Sequence, residues 1–174
     1  ELNKPHGYRN RAIIETLYGS GLRVSELVNL TLSNIFFNED IIRVTGKGDK
    51  QRLVPLGNYS KKFIQIYLNE VRILKNIQKG DDDILFLNRN GKKLTRAMIF
   101  TIIRESTKKV GIKKKISPHT FRHSFATHLL ENGADLRSIQ ILMGHESITT
   151  TEIYTHLNNQ HLKYVIEKFH PRNQ

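Results

Sequence analysis

Ile41-Ile42-Arg43-Val44-Thr45-Gly46-Lys47-Gly48-Asp49-Lys50-Gln51-Arg52-Leu53-Val54-Pro55-Leu56 is the stretch that decides the fold class, because the chain changes its period there. Ile41–Val44 and Arg52–Leu56 are short apolar runs rich in β-branched residues. Between them lies a Gly-rich basic turn, Gly46–Lys50. Two such runs around such a turn predict an antiparallel hairpin with a cationic tip. Ile35–Phe37, just upstream, is a candidate third strand.

Outward from the hairpin the spacing is helical. Tyr8–Tyr18 carries Ala12, Ile13, Leu17 and Tyr18, and the Gly19-Ser20-Gly21 turn stops it. About Arg23 to Leu30 forms a second helix through Val24, Leu27, Val28 and Leu30. Downstream, Lys61–Ile77 places Phe63, Ile64, Tyr67, Leu68, Val71 and Leu74 on one stripe. Gly80–Asp83 is a loop and Asn90-Gly91 a turn. Thr95 opens a helix to about Val110, closed by Gly111. Ser117-Pro118 opens another to Asn132, with Pro118 in its first turn. Asp135 caps a helix to Met143, Ser147 caps one through Tyr154, and about Gln160–Phe169 carries Leu162, Val165, Ile166 and Phe169 on a stripe. The expected fold is mainly α with a small antiparallel β-sheet, of the α+β class.

At 174 residues, 38% hydrophobic and 25% charged, the chain is one globular domain. No apolar run approaches the ~18 residues of a membrane span. Cysteine is absent, which excludes disulfides, thiolate metal sites and a Cys nucleophile. Lys and Arg number 28 against 16 Asp and Glu, a formal charge of +12. A polyanion, nucleic acid above all, is the natural partner. A start at Glu1 reads as a fragment of a longer chain.

Four local patterns carry chemistry, each with a plainer alternative. His119 and Arg122, three apart at the start of a helix, share a face. Arg offers a planar fork of donors and the helix N-terminus adds N–H groups, which together suit a phosphate; the alternative is a surface cation beside a capping His. Glu26 lies three residues after Arg23 and can orient it, or the two form a solvated ion pair. Lys47 between two glycines can reach a DNA groove or a cleft; it lacks the spacing of a Walker A loop and is otherwise a basic turn. Gly144-His145 precedes Tyr154 by a short segment, and a lone Tyr near a helix end is most often a core anchor. A zinc site from His119, His123 and His128 is disfavoured, because His123 and His128 are five apart rather than four and no Glu sits as in H-E-x-x-H.

The order of these patterns along the chain resembles the tyrosine recombinase (lambda integrase-like, or phage integrase) family, and the Xer branch most. The wording Gly21-Leu22-Arg23-Val24-Ser25-Glu26-Leu27, Gly46–Leu56 and Gly144–Tyr154 carries that likeness over nearly the whole chain. The resemblance implies six active-site positions, Arg23, Lys47, His119, Arg122, His145 and Tyr154, with Glu26 in support. It implies metal-free cleavage and rejoining of DNA through a 3′-phosphotyrosine and a Holliday junction, with no cofactor. It further implies that residues 1–174 are the C-terminal catalytic domain, the N-terminal core-binding (SAM-like) domain being absent from this chain. Partners would be double-stranded DNA with a recombination site and a homo-tetramer, or paired-recombinase hetero-tetramer, joined through the C-terminal helix at 160–169. The setting would be cytoplasmic and nucleoid-associated, without a membrane. Arg43, Lys50, Arg52, Lys113, Lys114 and Lys115 are candidate DNA contacts. A type IB topoisomerase-like enzyme and a non-catalytic DNA-binding module are the competing readings.

Overall fold

The computed structural model describes residue 4, residues 6–144 and residues 156–173. The fold is mostly helical with a small antiparallel sheet, as the periodicities predict. Helix α1 (Gly7–Ser20) buries Ala12, Ile13, Thr16 and Leu17 and packs against α3 (Asn58–Glu70) and α5 (Pro118–Glu131). It ends at Gly21, whose φ of 64° is left-handed. A Cβ at that position would lie 2.5 Å from the Phe125 ring, so both the turn and the close approach of α5 require glycine. Helix α2 (Val24–Val28) follows at once and is shorter than its apolar spacing suggests.

Strands β1 (Ile35–Phe36), β2 (Ile41–Thr45) and β3 (Gln51–Pro55) form a sheet in that order. In the β2–β3 register Ile42 faces Val54 and Val44 faces Arg52. Since side chains alternate across a strand, Ile42, Val44, Arg52 and Val54 all point to the core face. Arg43 and Thr45 point out, and the Arg43 guanidinium lies over the Phe36 ring at 5.3 Å. The turn at Lys47–Asp49 is a tight helical one, with Gly48 at positive φ.

Helix α3 departs from the sequence reading. It stops at Glu70, followed by a 3₁₀ turn at Arg72–Leu74, where periodicity predicts helix to Ile77. The cause is tertiary. Arg72 turns inward, its Nη2 donating to the carbonyls of Asp82 (2.7 Å) and Ile84 (2.8 Å), and this rotates Leu74 out of the stripe to 82% exposure.

Helix α4 (Arg96–Lys109) is capped by Thr95, which accepts from Met98 N–H at 3.2 Å. Before α5, Thr120 Oγ1 accepts from Ser117 N–H at 3.0 Å in a capping box. Asp135 caps α6 (Leu136–Met143) through Ser138 N–H at 2.9 Å, and Gly144 closes it with a left-handed φ.

Helix α7 (His156–Phe169) lays Leu162, Val165 and Ile166 against β3, α5 and α6 of its own domain. Within the single chain the apolar stripe is thus buried against the domain's own core. Beyond it, buried His170 bonds the Tyr18 carbonyl at 3.1 Å and accepts from Arg172 N–H at 3.1 Å. Arg172 in turn pairs with Glu15 at 2.7 Å, pinning the C-terminal end to α1. No helix among the described residues is long and apolar enough to cross a membrane.

Candidate active site

The site begins where α1 hands over to α2. Arg23 is the N-cap of α2, and Glu26 reaches back so that its Oε1 accepts from Arg23 N–H at 2.8 Å. The Glu26 carboxylate is buried at 2% exposure and is ringed by guanidinium groups. Arg52 donates to it from both terminal nitrogens, Nη2 to Oε1 at 3.1 Å and Nη1 to Oε2 in a close ion pair. Arg23 Nη1 stands 3.6 Å from Oε2. Burial pushes the Glu26 carboxyl up, yet the bonds and charge of Arg52, then those of Arg23, outweigh it and hold it below its usual range.

Arg122 comes to the same place from the first turns of α5. Its Nη1 donates to the Gly21 carbonyl and its Nη2 to the Met143 carbonyl, both at 2.6 Å. Two of five N–H bonds thus lock the fork to the ends of α1 and α6, and three donors are left for a ligand. Burial, then the charges of Arg23 and Arg52, lower its pKa to about 10. It remains a cation at neutral pH. Three guanidinium groups against one carboxylate leave the cluster electropositive, the property an incoming phosphate needs.

The other predicted residues are placed around this cluster. Lys47 is exposed at the hairpin tip. Its neighbour Gly46 is packed so that a Cβ would sit 3.4 Å from Glu26 Oε2, which ties the tip to the cluster. His119 is exposed in the first turn of α5, three residues before Arg122. Gly144 lies against Arg52, a Cβ there coming within 2.9 Å of Arg52 Cδ. His145 and Tyr154, and the helix expected from Ser147 to Tyr154, lie outside the described residues. The three histidines of α5 diverge: His128 Nδ1 bonds the Tyr18 hydroxyl at 2.7 Å, while His123 faces Thr127 at 3.5 Å.

Of the candidate DNA contacts, Lys50, Arg43 and Lys113–Lys115 are exposed. The last three line an open groove of about 530 Å³, with Phe100, Arg104 and Ile112, that ends at the α5 N-cap. Arg52 is the correction. It is 6% exposed and spent on Glu26 and on the Leu142 carbonyl, which its Nε reaches at 3.1 Å. The signal was present in the sequence: two residues from Val54 on a strand, Arg52 shares the inward parity.

A buried arginine fork and a second arginine braced by a carboxylate at a helix cap, with a lysine on the nearby basic turn, offer charge and donors that suit an anion such as a phosphate. The chain belongs to the phage integrase family, whose model matches residues 1–161. Among its relatives, the tyrosine recombinase XerD of Staphylococcus aureus is 46% identical over 172 residues, covering 99% of this chain and 58% of the relative. XerD of Listeria monocytogenes serotype 4b is 48% identical over the same shares. The crystal structure of XerA recombinase superposes with a TM-score of 0.73 at 40% identity, over 97% of this chain and 61% of that one. XerH bound to its difH substrate before cleavage gives 0.74 at 30% identity, over 98% and 49%. The chain thus spans 58% of the length of the XerD relatives.

Proposed function

We propose that this chain carries out the strand cleavage and rejoining of a site-specific tyrosine recombinase on double-stranded DNA. The observation that carries the reading is the Arg23–Glu26–Arg122 constellation, held by backbone carbonyls and a buried carboxylate. A phosphodiester resists attack because it is already an anion, and its transition state gathers more charge on the non-bridging oxygens. Arg122 and Arg23 bind those oxygens without needing to reorganise. The loss of either costs roughly 10²–10³ in rate.

Tyr154 is the nucleophile. Its hydroxyl oxygen bonds to phosphorus, the bond from phosphorus to the 5′-oxygen breaks, and a 3′-phosphotyrosine remains beside a free 5′-hydroxyl. A phenol of pKa about 10 does not ionise unaided, so His119 accepts its proton, while Lys47 protonates the departing 5′-oxygen. His145 adds a hydrogen bond to the phosphate. The 5′-hydroxyl of the same or another strand then attacks in reverse, so resealing needs no ATP. Exchange between two duplexes passes through a Holliday junction. XerH was crystallised bound to its difH substrate and the Tn1549 transposon integrase with circular intermediate DNA, which supports DNA as the partner here. The biological outcome is Xer-type dimer resolution or integration of a mobile element, in a cytoplasmic, nucleoid-associated setting. Residues 1–174 are the catalytic domain, which in the whole protein works with a core-binding domain.

Assembly on DNA is a head-to-tail tetramer. For helix 160–169 to join protomers, it must leave the pocket on its own domain for the identical pocket on a neighbour. Such an exchange conserves buried area and closes into a ring.

Covalent trapping tests the reading. A nicked suicide duplex, selected from a random-sequence pool, is mixed with wild type and with Tyr154→Phe, then denatured. An adduct with wild type alone is the expected result. An adduct that survives in Tyr154→Phe assigns the attack to another residue. Binding without any adduct favours a DNA-binding module, and relaxation of plasmids lacking a specific site favours a topoisomerase.

A further inference from the structure

The two guanidinium groups paired with Glu26 hold it unequally. Arg52 grips both carboxylate oxygens, whereas the Arg23 guanidinium stands at 3.6 Å with its side chain 44% exposed. What Glu26 takes firmly from Arg23 is the main-chain N–H, at 2.8 Å. Arg52 is itself held from behind by the Leu142 carbonyl and by contact with Gly144, so its fork cannot swing away.

We propose that Arg52 is a positioning residue that saturates the Glu26 carboxylate, so that Glu26 orients the backbone of Arg23 without capturing its guanidinium. The inference rests on the phosphotyrosine reading, since it concerns how Arg23 is kept ready for phosphate. A carboxylate offers about four acceptor sites, of which a bidentate Arg takes two. Remove Arg52 and a buried anion loses its counter-ion, a costly state. Arg23, already within ion-pair range, is the nearest replacement. Once its fork closes on Glu26 it no longer faces the substrate.

This gives an ordering that simple packing does not. Arg52→Met should slow cleavage by closing Arg23 onto Glu26. Adding Glu26→Gln removes the anion that does the capturing, so the double variant should be faster than Arg52→Met alone. If Arg52 and Glu26 were only structural contacts, the second defect would add to the first.

The test uses full-length protein and the nicked duplex selected by trapping with wild type. Single-turnover adduct formation is followed at saturating DNA, with duplex affinity and melting temperature measured for each variant. Arg52→Met is expected to cleave roughly 30-fold more slowly, short of the roughly 10²–10³-fold for removing a phosphate donor outright because Arg23 is diverted rather than lost, with affinity little changed. Arg52→Met/Glu26→Gln should regain about tenfold of that loss. Arginine side-chain nitrogen NMR provides a readout independent of cleavage. The Arg23 Nε–H should exchange slowly with water in Arg52→Met and fast in wild type and the double variant. If Arg52→Met does not fold, Arg52→Lys, which keeps the counter-charge, should cleave within about tenfold of wild type; a loss as deep as that of Arg23→Ala overturns the proposal. So does a double variant no faster than the single, or an Arg23 signal that ignores Arg52. If wild type forms no adduct, the phosphotyrosine reading falls, while the NMR ordering still decides whether Glu26 captures Arg23.

Discussion

Gly21→Ala links the fold to the site in a single substitution. Gly21 has φ 64°, and a Cβ there would lie 2.5 Å from Cδ1 of the fully buried Phe125. Placing alanine in the left-handed region costs about 1–2 kcal/mol. Overpacking a filled core adds about 1–3 kcal/mol. Stiffening the unfolded chain returns about 0.4–1 kcal/mol. The net loss is about 3 kcal/mol, and for a chain of this size each kcal/mol moves Tm by about 2–4 °C, so a fall of about 6–12 °C is expected. Thermal unfolding by circular dichroism, with urea titration to check that m is unchanged, measures it. Gly21→Asn carries the same Cβ but tolerates the left-handed region better, and should recover only the smaller share. The Gly21 carbonyl also anchors Arg122, so adduct formation should fall beyond what instability explains. A Tm within 2 °C of wild type together with a wild-type cleavage rate would refute the reasoning.

Further predictions follow from the same contacts. Arg122→Lys keeps the charge but cannot bridge the Gly21 and Met143 carbonyls while facing a phosphate, so adduct formation should drop roughly 10²–10³-fold with folding retained. Stability should decline in two acid steps. The His170 pKa is lowered, chiefly by burial, so below about pH 6.5 the unfolded chain takes a proton that the folded chain refuses. The Glu26 pKa is also lowered; its contribution is present above the normal carboxylate range and is lost as pH falls through its folded value. Melting curves at stepped pH, with His170→Gln flattening the first step, check the order. Replacing Lys113, Lys114 and Lys115 together by alanine should reduce the slope of log K against log salt for duplex binding by about 3, since each phosphate contact contributes about one. An unchanged slope would mean that these lysines are merely solvated.

How much of this was legible beforehand differs residue by residue. Local rules carried the hairpin, the caps at Thr95, Ser117 and Asp135, and the Gly stops, since each depends on a few neighbouring residues. They also placed Arg122 and His119 on one face of α5. They overran α3, because Arg72 ends that helix by bonding carbonyls of a loop ten and twelve residues away. They misjudged Arg52 by charge alone, although strand parity pointed it inward.

The order of Arg23, Lys47, His119, Arg122, His145 and Tyr154 in the sequence is thus sufficient to assign the family, because residue type and spacing are one-dimensional properties. Which arginine stays exposed and which neutralises the carboxylate is not one-dimensional. Glu26 and Arg52 are 26 positions apart, and Arg122 meets the Gly21 carbonyl across 101. Only the packing of α5 and the sheet against the α1–α2 corner brings them together and gathers four charged side chains into one cluster. The same packing decided that the apolar stripe of α7 is covered by its own domain. A stripe records that a face must be buried; the surface that buries it is set by the rest of the fold.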